Sequence, residues 1–133
     1  MKEFWDQRYS QKEYAYGETP NEYFRKEITA LTPGKILMPA DGEGRNGVFA
    51  ATLGWQVDAF DISSEGKRKA DLLADKHKVS IHYVIGACGK LTYPENSFAA
   101  IALEYMHLPP SIMAECHRQL VAYLKPGGVI ISE

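Results

Sequence analysis

The chain has 133 residues, of which 45% are hydrophobic, and its 15 basic and 17 acidic side chains give a formal net charge of −2. This length and apolar content suit one domain with one core and are too small for two. The charge balance lacks the global footprint of a nucleic-acid-binding protein, no apolar run approaches the ~18 residues of a membrane span, and the amino terminus lacks the apolar stretch of a signal peptide.

The cysteines, Cys88 and Cys116, stand far apart in the sequence. Neither belongs to a C-x-x-C pair or to a Cys/His spacing typical of a zinc site. We therefore expect reduced thiols in a cytoplasmic protein, and no metal site.

The first eighteen residues are rich in aromatic side chains but follow neither a helical nor a strand period, so we expect irregular structure with about one helical turn. A helix is predicted to begin next, because Thr19 and Glu22 have the spacing of a capping box and Pro20 would occupy the first helical position. Its core-facing stripe is predicted to be Phe24, Ile28 and Leu31.

From residue 35 onward, apolar strands alternate with helical segments through short loops. The predicted strands are 35–40, 56–61, 79–85, 98–104 and 129–131, and the predicted helices are 44–54, 63–76 and 110–124. The basic run 67–69 is expected to form the solvated face of its helix. This alternation predicts a doubly wound α/β fold, a parallel sheet with helices on both faces and right-handed crossovers.

A glycine-rich turn follows the first predicted strand. Gly42, Gly44 and Gly47 fit the pattern G-x-G-x-x-G, and Asp61 ends the second strand, near the ~20-residue spacing at which a carboxylate holds a ribose hydroxyl. Glycines without β-carbons let the backbone turn sharply and let a ligand approach it. The pattern predicts a nucleotide-type cofactor site and fits both dinucleotides and S-adenosylmethionine.

Four stretches resemble class I S-adenosylmethionine-dependent methyltransferases, specifically the small-molecule branch of tellurite-resistance and thiopurine-type enzymes. They are 4–9, 40–46, 93–108 and 124–131. The last favours this family over nicotinamide or flavin enzymes, because a helix that ends in Leu-Lys-Pro-Gly-Gly before an apolar strand is frequent in it and is not part of the dinucleotide fingerprint.

The resemblance covers nearly all of the chain from Phe4 onward and implies a single methyltransferase domain. Residues 1–34 would form an N-terminal aromatic segment and helix, and residues 35–133 a Rossmann-like core of five parallel strands. The family fold usually has two further strands, so we expect a C-terminally truncated sheet. The fifth strand would then be an exposed edge, and we expect a homo-oligomer to form through it.

The resemblance also assigns residues to the cofactor, S-adenosylmethionine. Its methionine half would be lined by Asp41, Gly42, Glu43, Gly44 and Arg45, with backbone amides of the turn facing its carboxylate. On the nucleoside side, the ribose hydroxyls would bind Asp61, and the adenine would contact Ile62, Ala87 and the backbone amide of Cys88.

Residues outside this set have two interpretations each. Tyr9, Tyr14 and Tyr16 would either form a lid over the sulfonium, since aromatic faces suit a cation, or pack an irregular segment. His107 would either take a proton from the acceptor as the catalytic residue, or pack under the Pro109-Pro110 turn. Methyl transfer itself requires alignment and desolvation rather than a metal or a covalent nucleophile.

Three positions depart from the family pattern. Met38 replaces an acidic residue, Ala40 the first glycine of the turn, and Ala87 a frequent aspartate. These changes remove polar contacts to the cofactor. Besides methylation of a small molecule, two other functions therefore stay open. The first is a cofactor-binding or interaction module with weak or no activity, and the second is an NAD-binding oxidoreductase.

Overall fold

The computed structural model of the protein describes residues 1–103 and 109–132. Its helices are α1 Lys2–Tyr9, α2 Glu22–Thr29, α3 Arg45–Thr52, α4 Ser64–Lys76 and α5 Pro110–Tyr123. Its strands are β1 Lys35–Pro39, β2 Gln56–Asp61, β3 His82–Ile85, β4 Phe98–Leu103 and β5 Leu124–Ser132. Among the described residues, no helix is both long enough and apolar enough to cross a bilayer.

The strands form one sheet in the order β3-β2-β1-β4-β5, and every neighbouring pair is parallel. The chain winds outward from β1 to β3 and then returns to the other side of β1 with β4. Carboxyl ends of β1 and β4 therefore meet at the point where the winding reverses, which is where open α/β sheets bind ligands. The predicted doubly wound, Rossmann-like sheet is confirmed.

The central strand β1 packs helices on both of its faces. Ile36 and Met38 point into a cluster that includes Phe24 of α2 and Ala50 of α3. Leu37 points to the opposite face, into the cluster that α5 contributes to. This two-sided burial explains why the strand is apolar throughout instead of alternating.

Two of the three predictions for the N-terminal segment and its helix need correction. Residues 2–9 form a helix, α1, where we expected irregular structure with about one helical turn. The N-cap of α2 is Asn21, whose side chain accepts a hydrogen bond from Phe24 N at 3.0 Å, so Thr19 and Pro20 precede the helix. The predicted stripe is confirmed, because Phe24 and Ile28 are fully buried and Leu31 packs against the same core.

Two strands differ in length from their predictions. β3 is shorter and begins at His82, while Val79 packs beside α4 instead. β5 is longer, because Leu124 already pairs with Phe98, and a register irregularity near Ala100 accommodates the Lys-Pro-Gly-Gly stretch. β5 lies at the sheet edge with exposed side chains, including Ile130 at 42%.

Candidate functional site

A cavity of about 420 Å³ opens where the sheet order reverses. The cavity wall includes most of the predicted site residues, namely Tyr9, Tyr16, Asp41, Gly42, Glu43, Arg45, Asp61, Ile62, Ala87 and Cys88. Gly44 is not part of this wall, and the predicted catalytic residue His107 lies outside the described residues. The volume falls within the ~300–1,000 Å³ typical of small-molecule sites.

Asp61 joins the end of β2 to the glycine turn that follows β1. Its Oδ2 accepts a hydrogen bond from Gly42 N at 2.9 Å, and its Oδ1 accepts one from Ser63 N at 3.2 Å. Burial raises the pKa of the Asp61 carboxyl, while the hydrogen bond from the Gly42 amide opposes that rise. A carboxylate has about four acceptor positions, so at least one lone pair is left for a further donor.

Both the N–H and the carbonyl of Gly42 form hydrogen bonds with buried side chains. Its carbonyl accepts a hydrogen bond from the buried Tyr83 hydroxyl at 2.5 Å, opposite the bond from its N–H to Asp61. Its φ is +57°, and a β-carbon added there would lie 2.7 Å from the Tyr9 hydroxyl oxygen. Only glycine fits this position without moving Tyr9.

Ala40 adopts a φ of +54°, a left-handed conformation that costs a non-glycine residue about 1 kcal/mol. The turn thus keeps a shape that favours glycine although the residue is alanine. Nearby, Gly44 has a φ of +85°, and an added β-carbon would lie 2.6 Å from Ala70 Cβ. Gly44 therefore allows α3 to approach α4.

Glu43 and Lys69 form a buried ion pair beside the turn. Glu43 Oε2 accepts from Lys69 Nζ at 2.7 Å, and the two side chains are 4% and 3% exposed. Glu43 Oε1 accepts from Ala15 N at 2.7 Å. Lys69 is consequently buried. This corrects the expectation that the whole basic run 67–69 forms a solvated face. The pair fixes the N-terminal segment over the turn.

The three candidate lid tyrosines have separate positions. Tyr9 is buried against the glycine turn, and Tyr16 lies half exposed on the cavity wall. Tyr14 instead packs on Lys69, whose Nζ lies 4.8 Å from its ring centroid, and its hydroxyl donates to Lys69 O at 2.7 Å. Tyr9 and Tyr16 therefore border the cavity, while Tyr14 anchors the segment between them.

Helix α1 contributes two residues beyond the predicted site set, Trp5 and Asp6. Trp5 lines the cavity and stacks on Tyr9, with ring centroids 5.5 Å apart. Asp6 Oδ1 accepts a hydrogen bond from Ser63 Oγ at 2.6 Å, at the start of α4. Hydrogen bonds from Lys2 and then from Ser63 lower the pKa of Asp6 to about 2. The sequence signal that could have pointed to these two residues is the aromatic and acidic run of residues 4–6.

Cys88 and Cys116 form a disulfide bond, with 5.7 Å between their Cα atoms. The expectation of reduced thiols is therefore wrong in this structure. The bond links the loop after β3, which borders the cavity, to the buried side of α5. Separately, the described residues include no group of three or more His, Cys, Asp or Glu side chains that could hold a metal ion.

Residues 36–128 match the model of a family described as a methyltransferase domain. A protein of Pyrococcus horikoshii OT3 shares the fold at a TM-score of 0.71 and 23% identity, over 86% of this chain and 57% of its own. A Geobacter sulfurreducens structure, described as a SAM-dependent methyltransferase in complex with S-adenosyl-L-homocysteine, has a TM-score of 0.74 and 19% identity, over 97% of this chain and 53% of its own.

Haemonchus contortus phosphoethanolamine N-methyltransferase 1 shares the fold at a TM-score of 0.78 and 20% identity, over 97% of this chain and 30% of its own. The chain thus spans little more than half the length of the Pyrococcus and Geobacter proteins. No curated protein sequence matches it.

Proposed function

The chain belongs to the methyltransferase-domain family, and from this premise we propose that it binds S-adenosylmethionine in the cavity and transfers the methyl group to a small-molecule acceptor. The observation that carries the proposal is the hydrogen bond between Gly42 N and Asp61 Oδ2. It holds a carboxylate and a glycine turn together at one end of the cavity, as a ribose and an amino-acid tail attached to it require.

The residues present fit this cofactor. Asp61 keeps acceptor positions for ribose hydroxyls, and Ile62 and Ala87 provide an apolar wall for an adenine ring. Tyr9 fills the space that a β-carbon at Gly42 would need, so turn and aromatic ring together shape the cavity floor. The Glu43 carboxylate is already neutralised by Lys69 Nζ at 2.7 Å, so it offers a ligand less charge than Asp61 does.

S-adenosylmethionine supplies, when bound, an electrophilic methyl group on a sulfonium. The protein must then align the acceptor and exclude water from the reacting atoms. Trp5 and Tyr9 stack on one another at the cavity wall, and their faces suit a cation more than they suit an anion. In this proposal, the N-terminal helix that carries both residues covers the reaction.

Two narrower assignments remain proposals. We assign the chain to the branch of tellurite-resistance and thiopurine-type enzymes on its sequence stretches 4–9 and 124–131. We also propose a cytoplasmic location, although disulfide bonds such as Cys88–Cys116 are rare in that compartment. A weakly active binding module is the second candidate function, favoured by Met38, which is 2% exposed and offers the cavity no carboxylate, and by the alanine at position 40.

Transfer of a labelled methyl group from S-adenosylmethionine to a panel of small thiols, amines and hydroxyl compounds tests the activity. We expect label in at least one acceptor with the wild-type protein and its loss with Asp61→Ala. The exposed Asp75→Ala variant, on the outer side of α4, is the matched control. Tight cofactor binding without transfer to any acceptor would favour the binding module.

We also propose that two copies associate through β5. This edge strand has unpaired backbone groups on one side, and Val129 and Ile130 are 37% and 42% exposed. Sedimentation at micromolar concentration should show a dimer that Ile130→Lys shifts to monomer. A wild-type monomer would contradict this association.

A further inference from the structure

Two arginines share one aromatic ring at the mouth of the cavity. The guanidinium carbon of Arg8 lies 5.1 Å from the ring centroid of Tyr16, and that of Arg45 lies 5.7 Å from it. Arg45 Nη1 also donates a hydrogen bond to Tyr16 O at 3.2 Å. Tyr16 is 51% exposed, so the cluster faces solvent at the cavity rim. We call Arg8, Tyr16 and Arg45 the rim cluster.

The rim cluster differs from the other arginine sites of the chain. The remaining arginines each pair with a glutamate three residues earlier, as in Glu22–Arg25, Glu65–Arg68 and Glu115–Arg118. In the described part of the chain, Arg8 and Arg45 form no ion pair within 4.0 Å. Two like charges beside one ring therefore lack an internal counter-ion, and a bound anion would relieve their repulsion.

The charge at the rim is opposite to the charge deeper in the cavity. Asp41 and Asp61 line the inner wall, whereas Arg45 and Tyr16 line the wall next to the exposed Arg8. A molecule with one anionic end is repelled from the inner carboxylates and attracted to the guanidinium groups. It would enter with its other end directed inward, toward the glycine turn.

We propose that the rim cluster selects methyl acceptors that carry a carboxylate or phosphate group. The planar guanidinium forks of Arg8 and Arg45 suit such oxygens and hold the anionic end at the rim. The nucleophilic end of the acceptor then lies inside the cavity, beside the cofactor. This inference rests on the proposed methyltransferase function, because it names the acceptor of that same site.

Calorimetric titration of the full chain, saturated with S-adenosylhomocysteine, tests the proposal with benzoate, phenyl phosphate and the uncharged benzamide as probes. We expect at least one anion to bind about tenfold more tightly than benzamide. Arg8→Gln should remove that preference, while Arg8→Lys should keep part of it because the charge remains. Arg25→Gln, which removes an arginine already paired with Glu22, should leave it unchanged.

The affinity for S-adenosylhomocysteine separates the acceptor role from other roles. We expect the affinity for S-adenosylhomocysteine and the weak affinity for benzamide both to stay within about twofold of wild type in Arg8→Gln. Equal affinities for the anions and benzamide in the wild type, or an anion preference that survives Arg8→Gln, would overturn the proposal. So would loss of S-adenosylhomocysteine affinity with the anion preference intact, which would assign the cluster to the cofactor carboxylate.

Failure of the methyltransferase function gives a different result. In that case the wild-type protein would not bind S-adenosylhomocysteine at all. Titration of the anions into the ligand-free protein would then decide on the rim cluster alone: a preference lost in Arg8→Gln supports an anion site, and no preference contradicts it.

Discussion

The backbone N–H of Gly42 donates to Oδ2 of Asp61 across 2.9 Å, and this contact joins the turn after β1 to the end of β2. Because both partners are buried, the contact fixes the direction of the carboxylate before any ligand arrives. A ligand that uses the remaining lone pairs of Asp61 therefore meets a preorganised acceptor.

Asp61→Ala should weaken binding of S-adenosylhomocysteine by about 1.5 to 3 kcal/mol, because two hydroxyls lose a charged acceptor. Asp61→Asn keeps an oxygen for the Gly42 amide and guards against loss of the fold. Calorimetry on both variants and on Asp75→Ala measures the effect. Wild-type affinity in both folded Asp61 variants would place the ribose elsewhere.

Lys69→Met should lower the free energy of unfolding by about 3 to 5 kcal/mol, because it leaves the buried Glu43 carboxylate without its partner. The double variant Glu43→Gln with Lys69→Met should lose less than the sum of the two single losses. Urea unfolding measures all three. Lys67→Met, which disrupts a pair with the more exposed Asp71, is the control and should cost less than about 1 kcal/mol. Equal losses at positions 67 and 69 would contradict the buried pair.

Acidification should remove a stabilising contribution from Asp6. Its pKa in the folded protein is about 2, below its ordinary value of 3.8, so the folded state favours the ionised form. That contribution is full above about pH 4 and is lost as the pH falls toward 2. Asp6→Asn should therefore destabilise the protein more at pH 5 than at pH 2.5, as measured by urea unfolding. A pH-independent difference would show that folding does not lower the pKa of Asp6.

Reduction of the Cys88–Cys116 bond should lower the free energy of unfolding by about 3 to 4 kcal/mol, because the bond closes a loop of 28 residues in the unfolded chain. Urea unfolding with and without dithiothreitol measures the loss, and the double variant Cys88→Ser with Cys116→Ser should show no response to the reductant. Alkylation of both thiols in unreduced, denatured protein would instead show that the sequence-based expectation of free thiols was right.

Sequence patterns predicted the features that depend on local spacing. Apolar runs separated by turn residues gave the parallel sheet, and the helix predicted over residues 63–76 is α4, whose N-cap is Ser63. The glycine turn and Asp61 were predicted to serve one cofactor site from their spacing, and they meet because parallel strands end at the same edge of the sheet. Tyr9, Tyr16, Ala87 and Cys88 line the cavity as the family resemblance and the aromatic pattern suggested.

Features that depend on distant contacts were missed. Helix α1 has no apolar stripe of its own and is stabilised by docking, with Tyr9 buried and Asp6 bonded to Ser63. Lys69 appears in a basic run, and only the approach of Glu43, 26 residues earlier, makes its burial favourable. The cysteine pair likewise depends on α5 crossing beneath the loop after β3, which no local spacing reveals.

Calorimetric titration of the wild-type chain with S-adenosylmethionine, S-adenosylhomocysteine and NAD in parallel tests the central claim most directly. We expect both sulfur-containing ligands to bind with one site per chain, and NAD to give no saturable heat at millimolar concentration. Saturable binding of NAD together with no binding of the other two would contradict the assignment of this cavity to S-adenosylmethionine.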